Sequence, residues 1–315
     1  MISAETKRVA LVGAGLIGRS WAIVFACAGW EVRMFDASGE VRRSLTGLLR
    51  AGLSDLASHG LCDDIDGTLR RICVCNSVEE AVENVALVQE SLPEKVDVKR
   101  EVFAALDRIA PMDVILASST SAIVASRFTE GLAGRHRCLV AHPVNPPHLV
   151  PLVELCPAPW TDEAVLERAR TIYNGVGQSS IVVGKEVEGF VLNRLQGALL
   201  TEALRMVSDG VTTPQDVDKA VKDGLGIRWS FMGPFETIEL NAPGGIADYA
   251  GRYGQFYANL ASNPADPSVW QLASMELLLS HWPRSNSAQM EVRRKWRDEL
   301  LASMASQRKL LSAGE

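Results

Sequence analysis

The chain has 315 residues, of which 47% are hydrophobic and 22% are charged, and its formal net charge is −6. This composition is typical of a soluble globular protein that is long enough to form two domains. The acidic balance gives no electrostatic basis for binding nucleic acid or an anionic membrane surface.

The pattern of apolar residues and cysteines indicates a cytoplasmic protein. No apolar run approaches the roughly 18 residues that span a bilayer, and no charged-then-apolar signal segment opens the chain. Cys73 and Cys75 fall in one predicted strand, without a second cysteine or histidine pair at zinc-binding spacing. We therefore expect a reducing compartment and no metal site.

The N-terminal region predicts a βαβ unit. Val9–Val12 is a short apolar strand, and the glycine-rich loop Gly13–Gly18 follows it directly. An apolar helix then runs to Ala28, and the next strand, Glu31–Phe35, ends in Asp36. A G-x-G-x-x-G loop in this setting, with an acidic residue about 20 positions further on, is typical of dinucleotide-binding proteins.

Each part of this unit has a physical role. Gly13 permits the tight turn, Gly15 lets the backbone approach a pyrophosphate, and Gly18 allows close packing of helix and strand. Asp36 suits both ribose hydroxyls and would repel a 2′-phosphate, which favours NAD over NADP. The expected cofactor contacts in this unit are Gly13, Gly15, Leu16, Ile17, Gly18 and Asp36.

Strands and helices continue to alternate as far as Val183, which predicts a Rossmann-type, doubly wound and mostly parallel sheet. The strand Val114–Ala117 ends in the polar cluster Ser118–Ser121. Ligands bind beyond the carboxyl ends of strands in such sheets. An ordinary serine-rich turn is an equally good interpretation of any single serine here.

A further candidate for chemistry is the segment Leu139–Glu154. His142 and Asn145 lie among four prolines, between two apolar runs, and the second run contains Glu154. A buried carboxylate needs a partner, and His142 is available if the stiff loop folds the two strands together. Such a pair would make a general base. These residues alone favour the simpler interpretation, a satisfied buried histidine and an edge glutamate.

The pattern changes near Gly184, after which no strands are predicted. We expect an NAD-binding domain over residues 1–187 and a smaller all-helical domain over 188–315. Asn193 is a polar residue on an apolar helix, where it either bonds internally or faces a cleft. Arg228 lies in an irregular segment, Gly226–Pro234.

Taken together, these motifs resemble the 3-hydroxyacyl-CoA dehydrogenase family over nearly the whole chain. Within the family, the chain looks most like the lambda-crystallin branch, whose known activity is L-gulonate 3-dehydrogenase. Besides the glycine-rich loop with Asp36, the resemblance depends on ASSTS at 117–121, AHPVNPP at 141–147, LVE at 152–154, GFVLNRL at 189–195 and MGPFE at 232–236.

The resemblance implies roles for the site residues and favours the His142–Glu154 pair as catalytic. It implies that His142 takes the proton of the substrate's 3-hydroxyl and that Glu154 orients and polarises His142. Ser121 and Asn193 would bind the reacting oxygen or a nearby carbonyl. Asn145 would position the histidine and the nicotinamide. The hydride would pass to NAD.

One departure from the family concerns the substrate. The coenzyme-A-using members carry lysines on the helix after the second strand, but residues 37–94 contain no lysine here. This favours a small free acid such as L-gulonate. Its carboxylate needs a cation, for which Arg228 is our candidate; a surface arginine is an equally good interpretation.

Other functions remain open at this stage. A short-chain 3-hydroxyacyl-CoA dehydrogenase and a carnitine dehydrogenase-like enzyme are the alternatives within the same chemistry. For carnitine, Trp229 and Phe231 could form part of an aromatic cage, although core positions are the simpler expectation. A crystallin-like protein that binds NAD without turnover is the alternative from another class. The resemblance also implies a homodimer through the helical domain.

Overall fold

A computed structural model describes residues 7–282 and 285–312 of the chain. Its eight strands form one sheet, with the spatial order β3-β2-β1-β4-β5-β6-β7-β8. All neighbouring strands are parallel except β6 and β7, which are antiparallel. The strands are β1 Arg8–Val12, β2 Glu31–Phe35, β3 Ile72–Val74, β4 Leu87–Glu90, β5 Ile115–Ser118, β6 Cys138–Pro143, β7 Leu152–Pro157 and β8 Ser179–Val182.

Helices connect and follow these strands. Those in the strand-containing part are α1 Leu16–Cys27, α2 Gly39–Ser58, α3 Ile65–Arg70, α4 Val78–Ala81, α5 Val96–Ile109, α6 Ser126–Thr129 and α7 Glu163–Gly175. Those that follow are α8 Leu192–Ser208, α9 Pro214–Lys219, α10 Gly226–Trp229, α11 Pro234–Leu240, α12 Gly245–Ala261, α13 Leu272–His281 and α14 Ser287–Ser312.

Short polar side chains begin several of these helices. Ser38 Oγ accepts from the backbone N–H of Val41 at the start of α2, and Asp64 accepts from Gly67 at the start of α3. Thr213 caps α9, where its hydroxyl accepts from the N–H of Asp216 at 3.2 Å. Each contact satisfies a backbone donor that the helix itself leaves without a partner.

The central strands β1, β4, β5 and β6 are buried on both faces of the sheet, as expected for parallel strands covered by helices. Alternate residues of β1 belong to different apolar clusters: Val9 and Leu11 pack with α1 and α2, whereas Ala10 and Val12 pack with α5. The order 3-2-1-4-5-6 of the first six strands is that of a Rossmann fold. The predicted fold class, a doubly wound, mostly parallel sheet followed by helices, is confirmed.

Contacts divide the chain into two compact units. The first comprises the residues up to Val191 together with those from Glu291 onward, and the second is Leu192–Met290. Part of α14 therefore belongs to the first unit, where Ala302 is buried in the core and the ammonium of Lys309 donates to the carbonyl of Gly60 at 3.2 Å.

This division differs from the expected domains, 1–187 and 188–315, at the C-terminal end of the chain. The physical reason is that α14 carries apolar residues that are buried against the first unit, and their spacing does not reveal which unit they will meet. We retain a boundary near residue 190 as a proposal for where the first folding domain ends along the chain and the helical one begins.

The second unit is helical throughout its regular elements. The segment expected to be irregular contains the short helix α10, which continues a π-helical turn at Ala220–Leu225. Large apolar side chains of this unit are exposed in the single chain, including Phe231 at 71% and Phe235 at 75%. The expectation that Trp229 and Phe231 are core residues is therefore wrong for the single chain.

None of the helices over 7–282 and 285–312 is both long and apolar enough to cross a membrane.

Candidate active site

The glycine-rich loop between β1 and α1 has the geometry of a pyrophosphate cradle. Gly13 has φ +98°, in the left-handed region that favours glycine. A Cβ on Gly18 would lie 1.9 Å from the carbonyl oxygen of Gly13, so helix and loop pack too closely for any side chain there. A Cβ on Gly15 would meet nothing within 4 Å, which leaves space beside the backbone.

The start of α1 suits an anion. Gly15 caps this helix without any side-chain hydrogen bond, so the first N–H groups are not satisfied by a capping side chain. Helix N-termini of this kind bind phosphate groups because backbone donors and the helix dipole point at the same place. The residues present therefore fit a dinucleotide, with Leu16 and Ile17 in the first turn.

Asp36 at the end of β2 connects the loop to α2. Its Oδ2 accepts from the N–H of Ala14 at 2.9 Å, and its Oδ1 accepts from the N–H of Ser38 at 2.9 Å. Each carboxylate oxygen has a second lone pair available for a ribose hydroxyl. The nearby guanidinium of Arg42 donates to the main-chain carbonyls of Asp36 and Ala37.

Glu94, which the sequence analysis does not identify, organises the polar cluster after β5. Its carboxylate accepts from the hydroxyl of Thr120 and from the backbone N–H groups of Ser121 and Ala122. Ser121 itself is exposed, so its side chain projects from a loop that the carboxylate anchors. No sequence motif indicates this contact, because 26 residues separate Glu94 from Thr120.

His142 and Glu154 lie directly opposite each other on the antiparallel strands β6 and β7. The imidazole Nδ1 is 2.7 Å from Glu154 Oε2, and Glu154 is 0% exposed while His142 is 5% exposed. An ionised carboxylate only accepts, so the proton of a neutral imidazole lies on Nδ1 and the lone pair on Nε2. The pairing that the proline-rich loop predicts is present.

A turn at residues 189–191 completes the surroundings of this pair. The backbone N–H of Val191 donates to Glu154 Oε1 at 2.8 Å. The buried ring of Phe190 lies 5.6 Å from the imidazole, centroid to centroid. Phe190 has φ +49°, a conformation that costs a non-glycine residue on the order of 1–2 kcal/mol.

Asn145 is exposed, three residues beyond His142, and lines a cavity of about 730 Å³. Leu16 of the glycine-rich loop lines the same cavity, together with residues of α2 and α14. Two of the residues expected to contact the cofactor are thus brought to one cavity of the first unit.

The remaining expected site residues belong to the second unit. Asn193 is half-buried in the first turn of α8, and Arg228 is exposed in α10. Their roles remain predictions.

A buried network under the carboxyl ends of the strands is a further feature without a sequence signal. The amide of Gln89 donates to Ser119 Oγ at 2.6 Å and to the carbonyl of Ala141 at 3.3 Å. Tyr173 donates its hydroxyl to Gln89, and Trp21 donates its indole N–H to Ser119. The network fixes Ala141, the residue before His142, to β4 and β5.

The buried cysteines of β6 and β7 do not offer a nucleophile. Burial raises the pKa of Cys138 to about 12 and that of Cys156 to about 12. Both thiols are therefore neutral near pH 7, whereas the thiolate is the reactive form.

The structure brings Glu80 close to Cys73 and Cys75, with their ligand atoms within 4.8 Å of one another. Burial, followed by the charges of Cys73 and Glu80, raises the pKa of Cys75 to about 11, which disfavours the thiolate that a metal requires. Glu80 also accepts the N–H of Asn76. Three ligands are one fewer than a structural zinc site takes.

The fold and the glycine-rich loop define a dinucleotide-binding protein, and comparison with known proteins gives its family. Residues 8–187 match the family model for the 3-hydroxyacyl-CoA dehydrogenase NAD-binding domain, and residues 189–275 match that for the C-terminal domain. The chain belongs to the 3-hydroxyacyl-CoA dehydrogenase family.

Relatives in this family carry several names. Rabbit (Oryctolagus cuniculus) lambda-crystallin is 39% identical over 97% of both chains. L-carnitine dehydrogenase of Streptomyces coelicolor is 38% identical over 87% of this chain and 83% of its own. Among crystal structures, an NAD⁺-dependent 5-formyl-3-hydroxy-2-methylpyridine 4-carboxylic acid 5-dehydrogenase superposes with TM-score 0.82 and 25% identity, covering 98% of this chain and 99% of its own.

The protein is therefore an NAD-dependent oxidoreductase of the 3-hydroxyacyl dehydrogenase type, and its predicted family, fold and cofactor are confirmed. The individual residue roles remain predictions.

Asp36 provides a direct test of the cofactor site. We expect Asp36→Ala to raise the Kd for NADH by about 10–100-fold, the effect of losing hydrogen bonds to a charged group. Asp36→Asn keeps an acceptor but removes the charge, so it should lose less NADH affinity and gain affinity for NADPH. Fluorescence titration measures both, and an unchanged preference for NADH over NADPH in both variants would contradict the assignment.

Proposed function

We propose that the protein oxidises the 3-hydroxyl of a small L-3-hydroxy acid, similar to L-gulonate, to the 3-keto acid. The observation that carries this proposal is the buried His142–Glu154 pair at 2.7 Å. With Nδ1 bound to the carboxylate, Nε2 of His142 is the nitrogen that can accept the hydroxyl proton. The imidazolium that forms is stabilised by Glu154.

The remaining groups position the reactants. Bound NAD supplies the hydride acceptor. Ser121, on the loop anchored by Glu94, and Asn193 donate to the substrate's reacting oxygen or adjacent carbonyl. Asn145 positions the imidazole and the nicotinamide, and its place in one cavity with Leu16 supports this role.

Removing either member of the pair should remove most turnover. We expect His142→Ala and Glu154→Gln each to lower kcat by about 10²–10⁴, the usual contribution of general-base catalysis. The affinity for NADH should change little. Initial-rate assays and NADH titration measure the two effects, and His281→Ala, an exposed histidine at the end of α13, is the matched control. Full turnover in either variant of the pair would refute the proposed mechanism.

Contacts of α2 support a free acid as the substrate. A carrier with phosphate groups needs available cations, and the only basic residues of α2 are arginines. Arg42 donates to backbone carbonyls, and Arg50 forms an ion pair with Asp66 at 2.7 Å. Two of the three arginines on this helix are thus engaged within the protein. Arg228 is our candidate for the cation that binds the substrate carboxylate.

Two alternative substrates follow from other observations. The family contains 3-hydroxyacyl-CoA dehydrogenases, so a short-chain thioester such as 3-hydroxybutyryl-CoA is the first. Carnitine is the second, favoured by the S. coelicolor relative and by the exposed aromatic rings of Trp229 and Phe231 in the second unit. A quaternary ammonium binds to such ring faces.

A substrate screen distinguishes these candidates. NADH formation at alkaline pH should be fastest with L-gulonate or L-3-hydroxybutyrate, slower with carnitine and slower still with 3-hydroxybutyryl-CoA. Arg228→Met should then raise KM for the acid by about tenfold or more, because a charge-assisted hydrogen bond is lost. A higher kcat/KM for the thioester than for the free acids would favour the first alternative. An unchanged KM for the acid in Arg228→Met would exclude Arg228 from carboxylate binding.

We also propose a homodimer and a cytoplasmic location. Exposed apolar side chains of the second unit, such as Phe235 at 75%, are typical of surfaces that a partner covers. The six cysteines are free thiols, which supports a reducing compartment.

Light scattering tests the dimer. We expect a mass of about 68 kDa, twice the 34.2 kDa of one chain. Phe235→Glu should shift the mass toward that of a single chain, because a charge in an apolar interface is costly. Met112→Glu, an exposed apolar residue of the first unit, is the control that should leave the mass unchanged. A single-chain mass for the unmodified protein would contradict the proposal.

A further inference from the structure

The carboxylate that orients the proposed base has a second partner. Glu154 Oε2 accepts from His142 Nδ1 at 2.7 Å, and Glu154 Oε1 accepts from the backbone N–H of Val191 at 2.8 Å. Val191 follows Phe190, whose ring packs beside the imidazole. The turn of residues 189–191 therefore contacts both members of the pair, from a part of the chain 37 residues beyond Glu154.

The backbone of this turn has an uncommon shape. Gly189 has φ +79° and Phe190 has φ +49°, so two consecutive residues lie in the left-handed region. Glycine adopts this region readily, but phenylalanine does so at a cost. Strained backbone of this kind persists only where surrounding contacts hold it, and it is commonly found at functional sites. Here the contacts are the burial of the Phe190 ring and the Val191–Glu154 hydrogen bond.

We propose that the Gly189–Val191 turn is a positioning element for catalysis, acting through the His142–Glu154 pair. A carboxylate can rotate about its terminal torsion and offer either oxygen, or both, to a donor. The Val191 N–H fixes this rotation by binding one oxygen, which directs the other to His142. The Phe190 ring restricts the imidazole from the side, so both partners are held in one orientation.

This inference rests on the proposed function, because it assigns the turn a role in turnover through the same pair. It also connects the pair with the start of the helix that follows. The turn directly precedes α8, which begins at Leu192 and carries the candidate substrate residue Asn193. Residues 190 and 191 would thus bear on the base and its carboxylate at the two positions directly before that helix.

Phe190→Ala tests the turn. We expect kcat to fall by about 10–100-fold, the scale of a small misplacement of catalytic groups, with KM for the acid and for NAD changed by less than about threefold. Phe103→Ala is the matched control, because Phe103 is equally buried but packs against Phe128 in α6 rather than beside His142. It should leave kcat per folded molecule within about twofold of the unmodified enzyme.

A double-mutant cycle separates positioning from general stability. If the turn acts through the His142–Glu154 pair, Phe190→Ala should lower kcat by less than about threefold further in a His142→Ala background. A loss equal to the product of the two single effects would overturn the inference, as would full kcat in Phe190→Ala. Should Phe190→Ala not fold, Phe190→Leu keeps the apolar volume and takes its place, with the same cycle.

The outcomes distinguish this inference from the proposed function. Full turnover in Glu154→Gln would refute the proposed function and, with it, the role of the turn. Loss of turnover in Glu154→Gln together with full turnover in Phe190→Ala would refute the role of the turn alone.

Discussion

The contact on which this account depends is the hydrogen bond between His142 Nδ1 and Glu154 Oε2. A carboxylate that is 0% exposed is costly to bury unless it is paired and hydrogen-bonded. Here the cost is offset by contacts from the imidazole and from the Val191 N–H. The same contacts assign different roles to the two imidazole nitrogens, one bound to the carboxylate and one left to accept a proton.

The fold creates this contact by reversing one strand. In a purely parallel sheet, successive strands carry their carboxyl ends to one edge, and a residue near the end of one strand does not meet a residue near the start of the next. Because β7 runs antiparallel to β6, its early residue Glu154 lies directly opposite His142. The loop between the strands contains Pro146, Pro147 and Pro151, which limit its backbone freedom. The amide of Gln89 donates to the carbonyl of Ala141, the residue before His142, and so holds this end of β6 in place.

Much of this structure follows from local sequence. Strand and helix positions in the first unit, the glycine-rich loop and the pairing of His142 with Glu154 depend on periodicity, turn residues and a short connection, all of which a sequence displays. Glu94 and Gln89 could not be predicted in the same way, because their partners lie 26 to 84 residues away and no spacing rule connects them. For a related reason, the sequence could not show that part of α14 packs against the first unit. The spacing of apolar residues indicates that a helix is buried, but not which part of the protein covers it. The positive φ of Phe190 is likewise set by its surroundings, since phenylalanine has no intrinsic preference for it.

The most direct test of the central claim is a crystal structure of the protein with bound NAD. We expect the nicotinamide ring to lie beside the imidazole of His142, on the side of Nε2, with space between them for the carbinol carbon of one small substrate. We also expect the hydrogen bond between Nδ1 and Glu154 to persist in the complex. A nicotinamide ring bound away from His142, or an imidazole that turns Nδ1 rather than Nε2 toward it, would contradict the claim.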